Sequence, residues 1–222
     1  MNRQISAVVF DMDGLMFNTE DIYDQVGQEL LQRRGLEFTL DLKLRMMGRT
    51  EPEAYQILRE ICGIDDSVEQ LQQENNECLL RLIPSQIRML PGLENVMAAG
   101  RKTGRQLAIA TSSAMEMAEA KMQPFDLQNQ FDQIITGDQV TRGKPHPEIY
   151  LTIAERLGVA PETMLVFEDS VAGSQAAAAS GAYTVAVPGS HCRDLDYSHV
   201  DMVVDRLDAE PVMQLLHQAP GP

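Results

Sequence analysis

Four clusters of polar residues, three where an apolar run gives out and one between a further run and the helix that follows it, are the parts of this chain equipped for chemistry. Val8-Val9-Phe10 runs into Asp11-Met12-Asp13-Gly14, the run from Leu107 to Ala110 into Thr111-Ser112-Ser113, and the run from Met164 to Phe167 into Glu168-Asp169, while Gly143-Lys144-Pro145 follows the run from Gln133 to Thr136. Asp11 and Asp13 are two apart, so in extended backbone both side chains face the same way. Gly14 then permits a sharp turn or a close approach. Two same-facing acids at a strand end are costly unless a cation or a reaction uses them. The reaction that suits this set is phosphoryl transfer to an aspartate: a carboxylate can attack phosphorus covalently, and the charge developing on the phosphoryl oxygens is countered mainly by electrostatics. Asp11 and Asp169 are hard oxygen ligands fit for Mg²⁺. Lys144 supplies a fixed positive charge, Thr111 a hydrogen bond to a phosphoryl oxygen. Asp13 is left to protonate the leaving oxygen and then to deprotonate the attacking water.

For these clusters to meet, the elements carrying them must end on one rim. Beyond residue 92 the chain alternates between strand-like and helix-like stretches. Strands are expected at Leu107–Ala110, Gln133–Thr136, Met164–Phe167, Thr184–Val187 and Met202–Val204, and helices at Leu93–Lys102, Ala114–Gln123, Pro147–Leu157, Val171–Ser180 and Pro211–His217. Alternation with short links predicts an α/β fold with a doubly wound parallel-sheet, Rossmann-like core. Ligands of such a sheet gather beyond the carboxyl ends of the strands, where strand order reverses. Between the first and second strands, apolar residues repeat at helical spacing: Ile22, Val26 and Leu30, then Ala54, Ile57, Leu58 and Ile61, then Leu71, Cys78, Leu79 and Leu82. A helical stretch of about 65 residues there far exceeds an ordinary strand-to-helix link. The expected organisation is a core of residues 1–16 and 90–222 and an inserted α-helical cap domain of residues 17–89.

The 222 residues carry 33 acids against 18 bases, a formal net charge of −15. Such a field repels nucleic acid and anionic membrane, so neither is an expected partner. It also repels a phosphorylated substrate, and Lys144 and a metal answer that locally. Three cysteines without a C-x-x-C pair form no disulfide framework and suit a reducing cytoplasm. The start runs directly into the first strand, with no signal peptide and no apolar run long enough to span a bilayer expected.

Phe10-Asp11-Met12-Asp13-Gly14, Ala110-Thr111-Ser112-Ser113, Arg142-Gly143-Lys144-Pro145 and Phe167-Glu168-Asp169-Ser170 resemble the four ordered motifs of the haloacid dehalogenase superfamily, over residues 5 to 190 or so. The helical insert resembles the cap of its β-phosphoglucomutase-like branch. The resemblance implies Asp11 as nucleophile and Asp13 as general acid/base. It implies Mg²⁺ held by the Asp11 side chain, the Asp13 carbonyl and Asp169, with Glu168 supporting through water. Chlorine-removing members lack the second aspartate, so Asp13 argues against dehalogenation. In the cap, Gly48-Arg49-Thr50 sits at a helix break, and Arg49 is expected to bind a substrate oxyanion. Glu20, Tyr23, Ser112 and Ser113 are further candidates for substrate contact. The chain departs from relatives at Asn18, where an Asp is common, at Tyr23, where mutases carry a histidine, and between Ser67 and Leu80, where mutases carry a lysine. Fewer cap cations favour hydrolysis over holding a bisphosphate, and Tyr23 leans toward sugar-phosphate or pseudouridine-5'-phosphate phosphatases.

The expected activity is Mg²⁺-dependent hydrolysis of a small phosphorylated metabolite by a monomer or weak dimer. A phosphomutase using the same phosphoaspartate and a non-catalytic phosphoaspartate signalling module are the competing readings. Plainer roles are open to several of these residues: Ser113 with Glu116 makes a helix capping box, Lys144 alone reads as a solvated loop lysine, and His146, His191, His199 and His217 show no metal-ligand spacing.

Overall fold

The structure, a computed structural model, describes residues 4–46, 51–189 and 192–218. The chain divides into two compact units, Thr19–Ile87 and the combination of Met1–Asn18 with Arg88–Pro222. Thr19–Ile87 contains four helices among its described residues: α1 (Thr19–Gln32), α2 (Leu40–Met46), α3 (Glu51–Cys62) and α4 (Val68–Gln86). Leu30, Leu58 and Leu71 of the helical repeats join Leu31 and Leu42 in one apolar cluster, whereas Ile61 of the repeat on α3 is exposed. Ser67 caps α4 reciprocally with Gln70. Arg34, just past α1, donates to the Leu30 carbonyl of α1 and to Glu74 of α4 and also holds Asp66.

The other unit is built on a six-stranded sheet of β1 (Ala7–Phe10), β2 (Gln106–Ala110), β3 (Gln133–Ile135), β4 (Met164–Glu168), β5 (Tyr183–Ala186) and β6 (Met202–Val203). All neighbours pair in parallel, in the order β3-β2-β1-β4-β5-β6. Its helices are α5 (Leu93–Lys102), α6 (Met115–Met122), α7 (Glu148–Leu157), α8 (Val171–Ala179) and α9 (Glu210–His217). Every residue of β1 and β4 is buried, because helices cover both faces of a parallel sheet, and this is why the strands read as unbroken apolar runs. Ala7, Val9, Ala108 and Val166 face α7 and α8, whereas Gly100 of α5 lies against Val8 and Leu107 on the opposite face. The doubly wound α/β sheet is the one expected, with ends displaced by a residue or two. Thr136, for instance, leaves β3 because a 3₁₀ turn begins at Gly137.

Strand order reverses beside β1, whose neighbours are β2 and β4, so the carboxyl ends of these three strands bring Asp11, Thr111 and Glu168 to one rim. The chain leaves the sheet unit after Asn18 and re-enters it at Arg88, and these two residues are paired. The Asn18 N–H donates to the Arg88 carbonyl at 3.1 Å, and the Arg88 N–H donates to Asn18 Oδ1 at 2.7 Å. The Asn18 carboxamide oxygen accepts this second bond without carrying a charge.

At the other end of β2, buried Arg105 donates to the carbonyls of Ile5 (3.1 Å), Leu216 (2.6 Å) and Gln218 (2.8 Å), fastening the end of α9 to the sheet. Replacing Arg105 by Met strands those carbonyls. We expect a loss of about 3 kcal/mol in urea unfolding with KM for substrate unchanged; a loss within error of zero would show that the clasp carries no stability.

Candidate active site

Asp11 follows β1 directly, and its N–H donates to the Phe167 carbonyl at 3.0 Å, carrying the β1–β4 ladder one residue further. That bond sets Asp11 beside Glu168 at the end of β4. The turn after Asp13 is pressed against Asp169: Gly14 has φ +74°, and a Cβ at Gly14 would stand 2.3 Å from Asp169 Oδ2. The Asp169 carbonyl accepts from the Tyr197 hydroxyl at 2.8 Å. Ser170 caps α8 by accepting from the Gly173 N–H at 3.0 Å and donates to Glu168 Oε2 at 3.3 Å. Gly173 admits the Glu168 carboxylate against the first turn of α8, where a Cβ would lie 2.1 Å from both of its oxygens.

Lys144 is almost fully buried and occupies the centre. Nζ donates to Asp11 Oδ1 at 2.5 Å, Glu168 Oε1 at 2.6 Å and the Ala110 carbonyl at 3.0 Å, three hydrogens for three acceptors. It also lies 5.3 Å from the ring centroid of Tyr150, whose buried hydroxyl donates to Glu168 Oε1. Burial is the largest influence on Asp11 and pushes its carboxyl up to about 7; Lys144 opposes that rise, while Glu168 and Asp13 add to it. Burial alone would favour a neutral Lys144, but Asp11 and Glu168 outweigh it and hold the ammonium well above the usual lysine range. Burial, reinforced by Glu168, raises Tyr150 well above the usual phenol range, so it remains a donor.

The carboxylates of Asp11, Glu168 and Asp169 offer oxygens within 4.8 Å of one another, and all three residues are buried. One ammonium among three buried acids leaves an excess of negative charge, which a divalent cation with oxygen preference would neutralise. The donor set therefore fits Mg²⁺, with Asp11 and Asp169 as the acids least engaged by Lys144, Tyr150 and Ser170.

Asp13 is set apart from these acids. Its Oδ1 lies 2.5 Å from Lys121 Nζ, its Oδ2 accepts from Ser113 Oγ at 2.8 Å, and Thr111 Oγ1 lies 3.5 Å from Oδ2. Thr111 is fully buried, and its hydroxyl also accepts the Ser113 N–H at 3.1 Å. The expected Ser113–Glu116 capping box does not form. The N-cap of α6 is Ala114, without a side-chain cap, because the Ser113 hydroxyl is turned to Asp13 instead. Ser112 is exposed at the loop tip. Glu20 lies in the first turn of α1, in the helical unit, and Arg49 lies outside the described residues.

Two residues of this network went unnoticed in the sequence. Tyr150 looks like any aromatic on an apolar helix face, and nothing marks its hydroxyl. Lys121 left a trace: it follows buried Met117 and Ala118 at spacings of four and three, so it falls within the apolar stripe of α6, where an unpaired lysine is out of place.

The model of the haloacid dehalogenase-like hydrolase family matches residues 8–187. A phosphorylated carbohydrates phosphatase of Thermotoga maritima is 38% identical over 177 residues, covering 80% of this chain and 82% of that protein. A fructose-1-phosphate phosphatase of Escherichia coli is 30% identical, covering 82% and 95%. Among solved structures, a Thermotoga maritima protein provisionally assigned as a β-phosphoglucomutase is 33% identical with a TM-score of 0.79, over 96% of this chain and 98% of that one.

A cation held by these acids would be coupled to pH through the raised Asp11. A protonated Asp11 cannot hold a cation, so affinity is lost as pH falls through about 7. Mg²⁺ binding, read as the rise in melting temperature on titration, should weaken roughly tenfold between about pH 8 and about pH 6. Asp11→Asn should flatten that dependence; a flat profile in the unaltered protein would contradict the assignment.

Proposed function

The chain belongs to the haloacid dehalogenase-like hydrolase family, in its β-phosphoglucomutase-like branch, and from that premise we propose that this phosphate-monoester hydrolase is a Mg²⁺-dependent phosphatase of small phosphorylated carbohydrates. The observation that carries the reading is the seating of Asp11 between Lys144 and the acids of β4, with Lys144 Nζ 2.5 Å from Asp11 Oδ1. A bound Mg²⁺, held by Asp11 and Asp169, supplies positive charge against the phosphoryl oxygens. Glu168 anchors Lys144 and receives support from Tyr150 and Ser170.

In the proposed cycle an Asp11 oxygen attacks phosphorus as the phosphorus–ester oxygen bond breaks, and Asp13 gives its proton to the departing alkoxide. Water then attacks the aspartyl phosphate and yields a proton to Asp13. The bond between phosphorus and the Asp11 oxygen breaks, releasing orthophosphate and restoring both acids. Lys144 keeps Asp11 from rotating and offsets negative charge at the reacting oxygens. The carbohydrate preference comes from the relatives, which include phosphatases named for phosphorylated carbohydrates and for fructose 1-phosphate. The helical unit is read as the source of specificity, with Arg49 as the candidate for a substrate oxyanion and Glu20 and Tyr23 as further candidates for substrate contact. The likeness to a protein provisionally assigned as a β-phosphoglucomutase keeps a second reading, isomerisation through the same phosphoaspartate.

A phosphate-release assay over sugar phosphates, polyol phosphates and nucleotides tests this. The expected outcome is turnover of sugar or polyol phosphates that stops on chelation, returns with Mg²⁺, and is missing in Asp11→Asn. Turnover by Asp11→Asn near the unaltered rate would overturn the nucleophile. Isomerised hexose phosphate in place of free phosphate would establish the mutase.

A further inference from the structure

Outside the four motif clusters, the described residues of the sheet unit hold a second buried ammonium, that of Lys121 on α6. Its side chain is wholly inaccessible, whereas that of Asp13, its partner, retains 28% exposure. Three contacts close a ring: Lys121 Nζ to Asp13 Oδ1 at 2.5 Å, Lys121 Nζ to Ser113 Oγ at 2.8 Å, and Ser113 Oγ to Asp13 Oδ2 at 2.8 Å. An ammonium has hydrogens to give and no lone pair to offer. The Ser113 oxygen therefore accepts from Lys121, and its own hydrogen is directed to Asp13 Oδ2. Both oxygens of Asp13 are gripped from the inner side, which defines the plane of the carboxylate and leaves its accessible edge facing outward.

The position makes little sense as packing. Met117, Ala118 and Met122 are the buried neighbours of Lys121 on α6, and an apolar residue there would avoid the desolvation of an ammonium. The bonds that Lys121 gives to Asp13 and Ser113 are ones no apolar residue could supply. Lys144 performs the matching task for Asp11, so each of the two acids has its own buried lysine.

We propose that Lys121 is a positioning residue: with Ser113 it locks the Asp13 carboxylate in the orientation that delivers a proton to the leaving oxygen. This rests on the reading of Asp13 as proton carrier, and it assigns a task to Lys121 and Ser113 that differs from substrate binding. Lys121 does not touch the substrate; it acts through Asp13.

The test separates proton delivery from general damage by varying the leaving group. The first transfer step is reported by kcat/KM. With fructose 1-phosphate, or the panel member turned over fastest, the alkoxide needs a proton as it departs, and Lys121→Met should lower kcat/KM by about 10²-fold. With p-nitrophenyl phosphate the leaving phenolate needs little protonation, and the loss should stay below about fivefold. In an Asp13→Asn background, Lys121→Met should cost nothing further, since there is no proton carrier left to orient. Ser113→Ala, which breaks the ring without stranding a buried charge, should show the same leaving-group contrast at smaller amplitude, and it carries the test if Lys121→Met fails to fold. Equal losses on both substrates, or losses that multiply in the double variant, would overturn the proposal. Turnover in Asp11→Asn would instead overturn the phosphoaspartate reading beneath it, so the two failures are distinguishable.

Discussion

The buried Lys144 ammonium, shared between Asp11 and Glu168, is the interaction on which the site depends. It joins the ends of three neighbouring strands, taking Asp11 from β1, the Ala110 carbonyl from β2 and Glu168 from β4. Tyr150 brings in α7 through Glu168. Burying a carboxylate or an ammonium alone is prohibitive, and removing one member of such a set costs on the order of 3–5 kcal/mol. Their mutual attraction and hydrogen bonding make the arrangement tolerable, and the residual negative charge suits the three acids to a cation. Sheet order matters for the same reason: only with β1 between β2 and β4 do these acceptors surround one ammonium.

Two aspartates two residues apart acquire different surroundings. Asp11 is buried among acids, and its carboxyl is pushed up to about 7. Asp13, two residues on, is half-buried and held by a different lysine and a serine. Such divergence is what the proposed roles of nucleophile and proton carrier require. It also resolves the conflict between a chain with a net charge of −15 and an anionic substrate: the long-range field is negative, but two buried ammonium groups stand within hydrogen-bonding distance of the two acids. At such short range and low local dielectric, local charge outweighs the screened field of distant surface acids.

The division between what was legible and what was not follows physical lines. Strand ends are legible because parallel strands buried on both faces must be apolar throughout, so Asp11, Thr111 and Glu168 announce themselves where the runs stop. Lys144 is legible by its place after the third run. The helical unit is legible because its core repeats at helical spacing. These are local patterns, written within a few residues of one another.

Tertiary structure alone decided which side chains meet. Lys121 and Asp13 are 108 residues apart, and Tyr150 reaches Glu168 across 18; no local pattern encodes either pair. The same holds for Ser113, whose sequence neighbours promise a helix cap while its hydroxyl is claimed by Asp13. Local propensity is worth about 1 kcal/mol for a cap, less than leaving a buried ammonium and a carboxylate poorly satisfied, so the long-range contact prevails. By itself the sequence determined the α/β fold, the order of the motifs and the pair Asp11 and Asp13. The packing of α6 and of the Lys144 loop against the strand ends determined how each of those acids is held, because orientation depends on neighbours that only folding brings together.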